Sequence, residues 1–261
     1  MIYLLSEEGR NALRKIAGRS VLYAFDFDGT LTKLSPQRGN VKLSPITHEW
    51  LRELARRGPC AVVSGRALDD LAPRLNGVVP YLIGNHGIES PLTGSDGLKP
   101  VEHICREWTK RLDGDLGERL KDMPVEVEPK RYSLTLHYRG ADDPSVVERV
   151  LTPLLQELNP IPEVIMGKAS MSLLPPGSAG KGKATVALMS HLRCEGLFFI
   201  GDDTTDEDVF SLTEGLVMGV RVGFHAESKA GYYVKSQNEV EDVLRFLVHR
   251  IDGTPETNGS R

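Results

Sequence analysis

The 261-residue chain is poor in cysteine, in long apolar runs and in surplus positive charge, and each shortage narrows the reading. Its three cysteines, Cys60, Cys105 and Cys194, are odd in number and widely spaced, with no C-x-x-C pattern. They read as free thiols of a reducing cytosol, with Cys60 and Cys194 flanking apolar strands and none of the three catalytic. No apolar stretch approaches the ~20 residues needed to span a bilayer. Met1 to Leu5 is too short, and too soon acidic, for a signal peptide. The net charge of −4 gives no electrostatic case for nucleic acid or an anionic membrane as partner. There is no internal repeat and no G-x-x-x-x-G-K-[ST] phosphate loop. A cytoplasmic enzyme acting on a small molecule, and working as a monomer, is the expectation that survives.

What is present is a set of strands that end in polar groups. Tyr23-Ala24-Phe25-Asp26-Phe27-Asp28-Gly29-Thr30 is an apolar strand breaking into two carboxylates one residue apart. Residues i and i+2 of a strand share a face, so Asp26 and Asp28 sit together where the strand gives way to a loop. The carboxyl end of a strand is where α/β sheets bind ligands. Two close acids need a cation, a shared proton or separate hydrogen bonds to offset their repulsion, and magnesium held by oxygen is one solution. Taken alone, the pair reads equally well as a solvated turn.

Three further stretches add to it. Ala61-Val62-Val63-Ser64-Gly65-Arg66 ends a buried-type strand in a hydroxyl, a glycine and an arginine. Gly180-Lys181-Gly182-Lys183 opens a helical stretch. Leu197 to Asp208 is again an apolar strand running into acids: Asp202, Asp203, Asp206, Glu207 and Asp208. An EF-hand is discounted because Glu207 stands where that loop requires glycine. Carboxylates can hold a metal, while a hydroxyl, a lysine and backbone amides can hold phosphate oxygens.

In this order the motifs resemble the haloacid dehalogenase superfamily of phosphotransferases. Ser64-Gly65-Arg66, Gly84-Asn85-His86-Gly87, Glu128-Pro129-Lys130 with Ser133 to Arg139, and Gly201 to Glu207 are similar to the trehalose-6-phosphate phosphatase family. That resemblance implies an enzyme releasing phosphate from trehalose 6-phosphate, with Asp26 as nucleophile and Asp28 as general acid and base. It implies a Mg²⁺ cofactor on the Asp26 side chain, the Asp28 carbonyl and Asp202, with Asp203 and Asp206 reached through water. The resemblance also makes Lys181, immediately before the glycine that starts the helix, the phosphate-binding lysine and leaves Lys183 facing solvent. Ser64, Gly65, Arg66, Asn85 and His86 are implied substrate contacts beside the phosphate, Ser64 also being counted among the catalytic groups.

Periodicity gives the organisation. Helix 7–18, strand 20–26, helix 46–57, strand 59–63, a helix near 67–75 and strand 79–83 alternate as β-α-β units, which implies a parallel sheet with right-handed crossovers. From about 92 the pattern changes to a helix over 99–121, strands at 124–128 and 132–138, a helix at 143–158 and strand at 162–174. The alternation then resumes. The fold class is therefore α/β: a haloacid dehalogenase-like, Rossmann-like core with a parallel sheet, formed by 1–91 and 175–261. Between its halves lies an inserted α+β unit, 92–174, which the resemblance makes a cap of the C2 type. Thr254 to Arg261 reads as a frayed tail.

Within the inserted unit, Glu128 and Lys130 project to one face of an extended segment, and by resemblance they bind the glucose farther from the phosphate. His137 reads as a structural histidine. One position departs from the family pattern: Ser172 stands where a second sugar-binding glutamate is usual. That departure leaves two alternatives for the substrate, trehalose 6-phosphate or a glucosyl- or mannosyl-glycerate or glycerol phosphate. A catalytically inactive ligand-sensing module is disfavoured, because Asp26, Asp28, Lys181 and Asp202 are all present.

Overall fold

A computed structural model describes the chain except for residues 18–19, 36–38, 40, 168, 179, 214 and 254–261, so the tail at Thr254 to Arg261 lies outside the described residues. In chain order the first segment contains β1 (Ile2–Tyr3), α1 (Glu7–Ala17), β2 (Val21–Phe25), α2 (Pro45–Ala55), β3 (Cys60–Val63), α3 (Leu68–Leu75) and β4 (Tyr81–Ile83). The second contains α4 (Ser95–Asp113), α5 (Asp115–Leu120), β5 (Glu126–Pro129), β6 (Leu134–His137), α6 (Pro144–Leu155), β7 (Glu163–Gly167) and β8 (Ser170–Leu174). The third contains α7 (Lys181–His191), β9 (Gly196–Gly201), α8 (Glu207–Phe210), β10 (Leu216–Val222), β11 (Tyr232–Val234) and α9 (Val240–Ile251). Contacts divide the chain into two compact units: Met1–Gly87 with Gly180–Arg261, and Ile88–Ala179.

The first unit is a seven-stranded parallel sheet in the order β1-β11-β10-β9-β2-β3-β4. Its inner strand β2, Val21-Leu22-Tyr23-Ala24-Phe25, is buried at all five positions, as a strand covered on both faces must be. One cluster joins Phe25 and Phe198 of the sheet to Leu13 of α1, Leu51 and Leu54 of α2, and Leu244 and Leu247 of α9. Helix α2 starts where Ser44 accepts the Thr47 N–H and Pro45 takes the first turn. From β2 the chain steps outward through β3 and β4, then returns to lay β9 on the other side of β2. The crevice between β2 and β9 is thus the switch point of the sheet, where such folds bind ligands.

The second unit is an antiparallel sheet in the order β5-β6-β8-β7. Leu134, Leu136, Met171 and Leu173 join Trp108 and Leu112 of α4 and Leu151 and Leu154 of α6 in its core. Thr135, His137, Ser170 and Ser172 alternate with them and take the opposite face. Two expected elements are redrawn here. The helix expected over 99–121 begins four residues earlier and breaks at Gly114 (φ −102°, ψ −121°) into α4 and α5. The strand expected over 162–174 is the hairpin β7–β8, with Ala169 at φ 50° between its arms.

Candidate active site

Asp26 follows β2 directly, its N–H bonded to the Ile200 carbonyl of β9 at 2.9 Å. The loop behind it is tied shut by Gly29 N–H to Thr32 O at 2.8 Å and Thr32 N–H to Phe27 O at 3.0 Å. Gly29 has φ +87°, and a Cβ there would lie 2.2 Å from Oδ2 of Asp202. Only glycine allows the two acidic loops to approach this closely. Thr30 Oγ1 then donates to Oδ1 of Asp202 at 3.3 Å.

Lys181 is the first residue of α7 and is buried, whereas Lys183 is exposed, as expected. Its Nζ donates to Oδ1 of Asp26 and Oδ1 of Asp206, both at 2.8 Å. The flanking glycines have a steric cause. Asp208 Oδ2 accepts the Gly182 N–H at 2.7 Å, and Cβ atoms at Gly180 and Gly182 would lie 2.4 Å from that carboxylate and 2.7 Å from the Asp208 carbonyl. Asp208, to which no role fell from the sequence, therefore caps α7 and sets where Lys181 stands. The paired glycines about Lys181 are the signal that could have found it.

Asp26, Asp202 and Asp206 bring carboxylate oxygens within 4.8 Å of one another. Three acids against one ammonium leave surplus negative charge in a largely buried place. Burial, with Asp206 and Asp202 adding to it, pushes Asp26 up against the opposing pull of Lys181. Burial also pushes Asp202 up to about 7, with Asp206 and Asp203 contributing. Lys181 is driven down by burial but held above its ordinary value by Asp206 and Asp26.

Asp206 and Asp203 differ in what they touch. Asp206, expected to reach a metal only through water, offers an oxygen in the same cluster as Asp26 and Asp202. Asp203 instead caps the following turn: its side chain accepts the Thr204 N–H at 2.8 Å while its own N–H donates to Asp206 Oδ2 at 3.0 Å.

The Asp28 carboxylate stands apart from this cluster. Arg66 Nε and Nη2 donate to its two oxygens at 2.6 and 2.7 Å. Arg66, expected on the substrate, thus spends its guanidinium on Asp28 and, through Nη1, on Asp70 at 2.6 Å. Ser64 is buried at the end of β3, and its Oγ accepts the Arg66 N–H at 3.2 Å. Asn85 and His86 adopt left-handed backbone at φ 46° and 56°. Their N–H groups bond to Arg66 O at 2.7 Å and Ser64 O at 3.1 Å, so the loops after β3 and β4 form one piece. The His86 ring covers Gly65, where a Cβ would lie 2.5 Å from Cε1.

In the second unit, Glu128 Oε2 lies 2.7 Å from His137 Nε2 and accepts its hydrogen when that nitrogen is protonated, and Lys130 Nζ lies 3.8 Å from the same oxygen. Ser172 and Thr135 share a hydrogen bond at 3.3 Å.

The sequence model of the Trehalose-phosphatase family matches residues 24–249. The chain belongs to that family. A trehalose-phosphate phosphatase of Mycobacterium tuberculosis is 32% identical over 206 residues, 76% of this chain and 52% of that protein. Trehalose 6-phosphate phosphatase RA3 of Zea mays is 25% identical over 264 residues, 89% of this chain and 71% of that protein. The chain spans about half the length of the mycobacterial relatives it matches. In fold it is similar to the C-terminal domain of trehalose-6-phosphate phosphatase of C. albicans, with TM-score 0.68 and 22% identity over 94% of this chain and 97% of that one. The α/β fold with a parallel sheet and a second, antiparallel sheet is that of this haloacid dehalogenase-like group.

Proposed function

We propose that this trehalose-phosphatase family member hydrolyses trehalose 6-phosphate through an aspartyl-phosphate on Asp26, with Mg²⁺ as cofactor. The observation that carries the reading is the buried Lys181 ammonium, 2.8 Å from both Asp26 and Asp206, beside Asp202. A lysine between a nucleophilic carboxylate and a cation-binding acid is what phosphoryl transfer needs. The metal fits this chain's own residues: the donors are all carboxylate oxygens, and their charge exceeds what Lys181 cancels. Asp26, Asp202, the Asp28 carbonyl and Asp206 would hold it. When bound, magnesium screens the repulsion between carboxylate and phosphate and polarises a phosphoryl oxygen.

In the first step an Asp26 oxygen bonds to phosphorus as the bond to the sugar oxygen breaks, and Asp28 gives that oxygen its proton. Lys181 and the Ser64 hydroxyl hold the equatorial oxygens as charge develops on them. In the second step a water oxygen bonds to phosphorus, its proton passes to Asp28, and the Asp26–phosphorus link breaks to restore the carboxylate. Gly65, Asn85 and His86 line the phosphate side. We take the inserted unit to be the substrate-reading cap, with Glu128 and Lys130 on the distal glucose. The three free, buried cysteines fit a cytosolic location. No described helix is long and apolar enough to cross a membrane.

A second substrate reading is favoured by one observation. Ser172, where the family resemblance expects a glutamate, is satisfied by neutral Thr135 at 3.3 Å. A glyceryl or glyceryl-acid glycoside phosphate, with less to hold at its distal end, would suit that neutral site. Phosphate release from a panel of sugar phosphates with Mg²⁺ decides between them. Trehalose 6-phosphate is expected to lead; an enzyme that ignores it while turning over a glyceryl glycoside phosphate establishes the second reading.

A further inference from the structure

Arg66 is held on three sides by side chains of the chain itself. Its fork meets both Asp28 oxygens at 2.6 and 2.7 Å, its remaining nitrogen meets Asp70 at 2.6 Å, and its Cζ lies 5.6 Å from the centroid of the Phe27 ring. Asp70 is fixed in turn by Arg74, whose Nη2 and Nε donate to Oδ1 at 2.5 and 3.2 Å. Arg74 is anchored on backbone, donating to the carbonyls of Gly39 at 3.0 Å and Val41 at 2.8 Å. The Arg66 side chain is 11% exposed and that of Asp28 33% exposed, so the pair is sheltered but open on the Asp28 side. A bidentate guanidinium fixes both the position and the plane of a carboxylate, which a lysine cannot do.

We propose that Arg66 is the positioning residue of Asp28, backed by Asp70 and Arg74, rather than a ligand of the substrate phosphate. The inference rests on the reading of Asp28 as proton carrier given above. A carboxylate offers about four lone-pair directions, and the fork takes one on each oxygen. The others are left to face the leaving sugar oxygen in the first step and the attacking water in the second. Three of the five guanidinium N–H groups, including the whole Nε–Nη2 edge, are already committed to the two carboxylates. Holding Asp28 is the role its geometry already fills.

The test uses the full chain with Mg²⁺ and two substrates. Trehalose 6-phosphate has an alkoxide leaving group that needs a proton, and 4-nitrophenyl phosphate has one that does not. Arg66→Ala is expected to lower kcat for trehalose 6-phosphate by about 10²-fold with KM nearly unchanged, the scale of a lost general acid–base group. On 4-nitrophenyl phosphate the first turnover survives while hydrolysis of the phosphoenzyme slows, so the pre-steady-state burst of nitrophenol grows over wild type. Arg66→Lys recovers part of kcat, and Asp70→Asn gives a smaller loss of the same kind; these two carry the test if Arg66→Ala does not fold. A large rise in KM for both substrates with kcat intact makes Arg66 a phosphate ligand and overturns the inference. So does equal loss in the alanine and lysine variants accompanied by lowered Tm, which marks a structural role. Asp28→Asn separates the layers. If it is inactive while Arg66→Ala is normal, only the positioning role fails; if it keeps full turnover, the reading of Asp28 fails and the inference with it.

Discussion

Stripping divalent metal while raising pH puts the acid cluster under the greatest strain, and the sign of the response follows from its geometry. Asp202 titrates at about 7 against an ordinary 3.8. Between those values the folded protein keeps a proton that the unfolded chain has lost, and above them it must ionise a carboxyl beside two others. Raising an acid's folded pKa makes stability fall as pH rises through that window and level off above it. At 1.36 kcal/mol per unit, a shift of about three units sets a ceiling of ~4 kcal/mol, of which the two units between pH 5 and about 7 carry ~2–3 kcal/mol. Urea unfolding at pH 5 and pH 8, in EDTA and in excess Mg²⁺, measures it. Subtracting Asp202→Asn cancels histidines and other groups common to both proteins. In EDTA the wild-type advantage over Asp202→Asn falls with pH. Mg²⁺ reverses the fall, because a ligand that binds only the folded state stabilises it and competes with protons for the same oxygens. A difference in EDTA that is flat or rises from pH 5 to pH 8 would refute the surplus-charge account of the cluster.

Asp26→Asn is expected to remove turnover by at least ~10³-fold with substrate binding retained, checked by phosphate release and by loss of the burst, since an amide cannot form the phosphoryl ester. Gly29→Ala places a methyl 2.2 Å from Asp202 Oδ2 at φ +87°, and the concentration of Mg²⁺ needed for half-maximal activity rises. Asp208→Ala removes the acceptor for Gly182 N–H and costs about 1 kcal/mol in urea unfolding together with a drop in kcat; Asp208→Asn, which keeps an acceptor, loses less. Replacing both Glu128 and Lys130 by alanine lowers kcat/KM for trehalose 6-phosphate by ~2–5 kcal/mol while glucose 6-phosphate, with no distal sugar, changes little.

The fold was legible because the strands of the first unit repeat one device, an apolar run broken by polar residues at its carboxyl end. Val21 to Phe25 and Gly196 to Gly201 are buried throughout. No reading other than central parallel strands suits them, and their ends deliver Asp26 and Asp202 to one crevice. The positions that escaped are those decided by distance across the fold. The sequence 202–208 offers five acids and no means of ranking them. Asp206 is drawn to the cluster by Lys181, 25 positions away, while Asp203 turns to cap its own following residues.

The partners of Arg66 escape the sequence for a related reason. An arginine after Ser64 and Gly65 fits a phosphate site by residue type. Its partner Asp28 lies 38 positions back, and its second partner Asp70 shares a helical face with Arg74 that carries no functional mark. The Gly180-Lys181-Gly182 run is the instructive case in between. The family resemblance gave the lysine, whereas the cause of the glycines beside it is Asp208, pressed against both of them. Glycines beside a single charged residue at a helix start are better read as the imprint of a neighbour. In this chain the neighbour fixes the height of the lysine above Asp26.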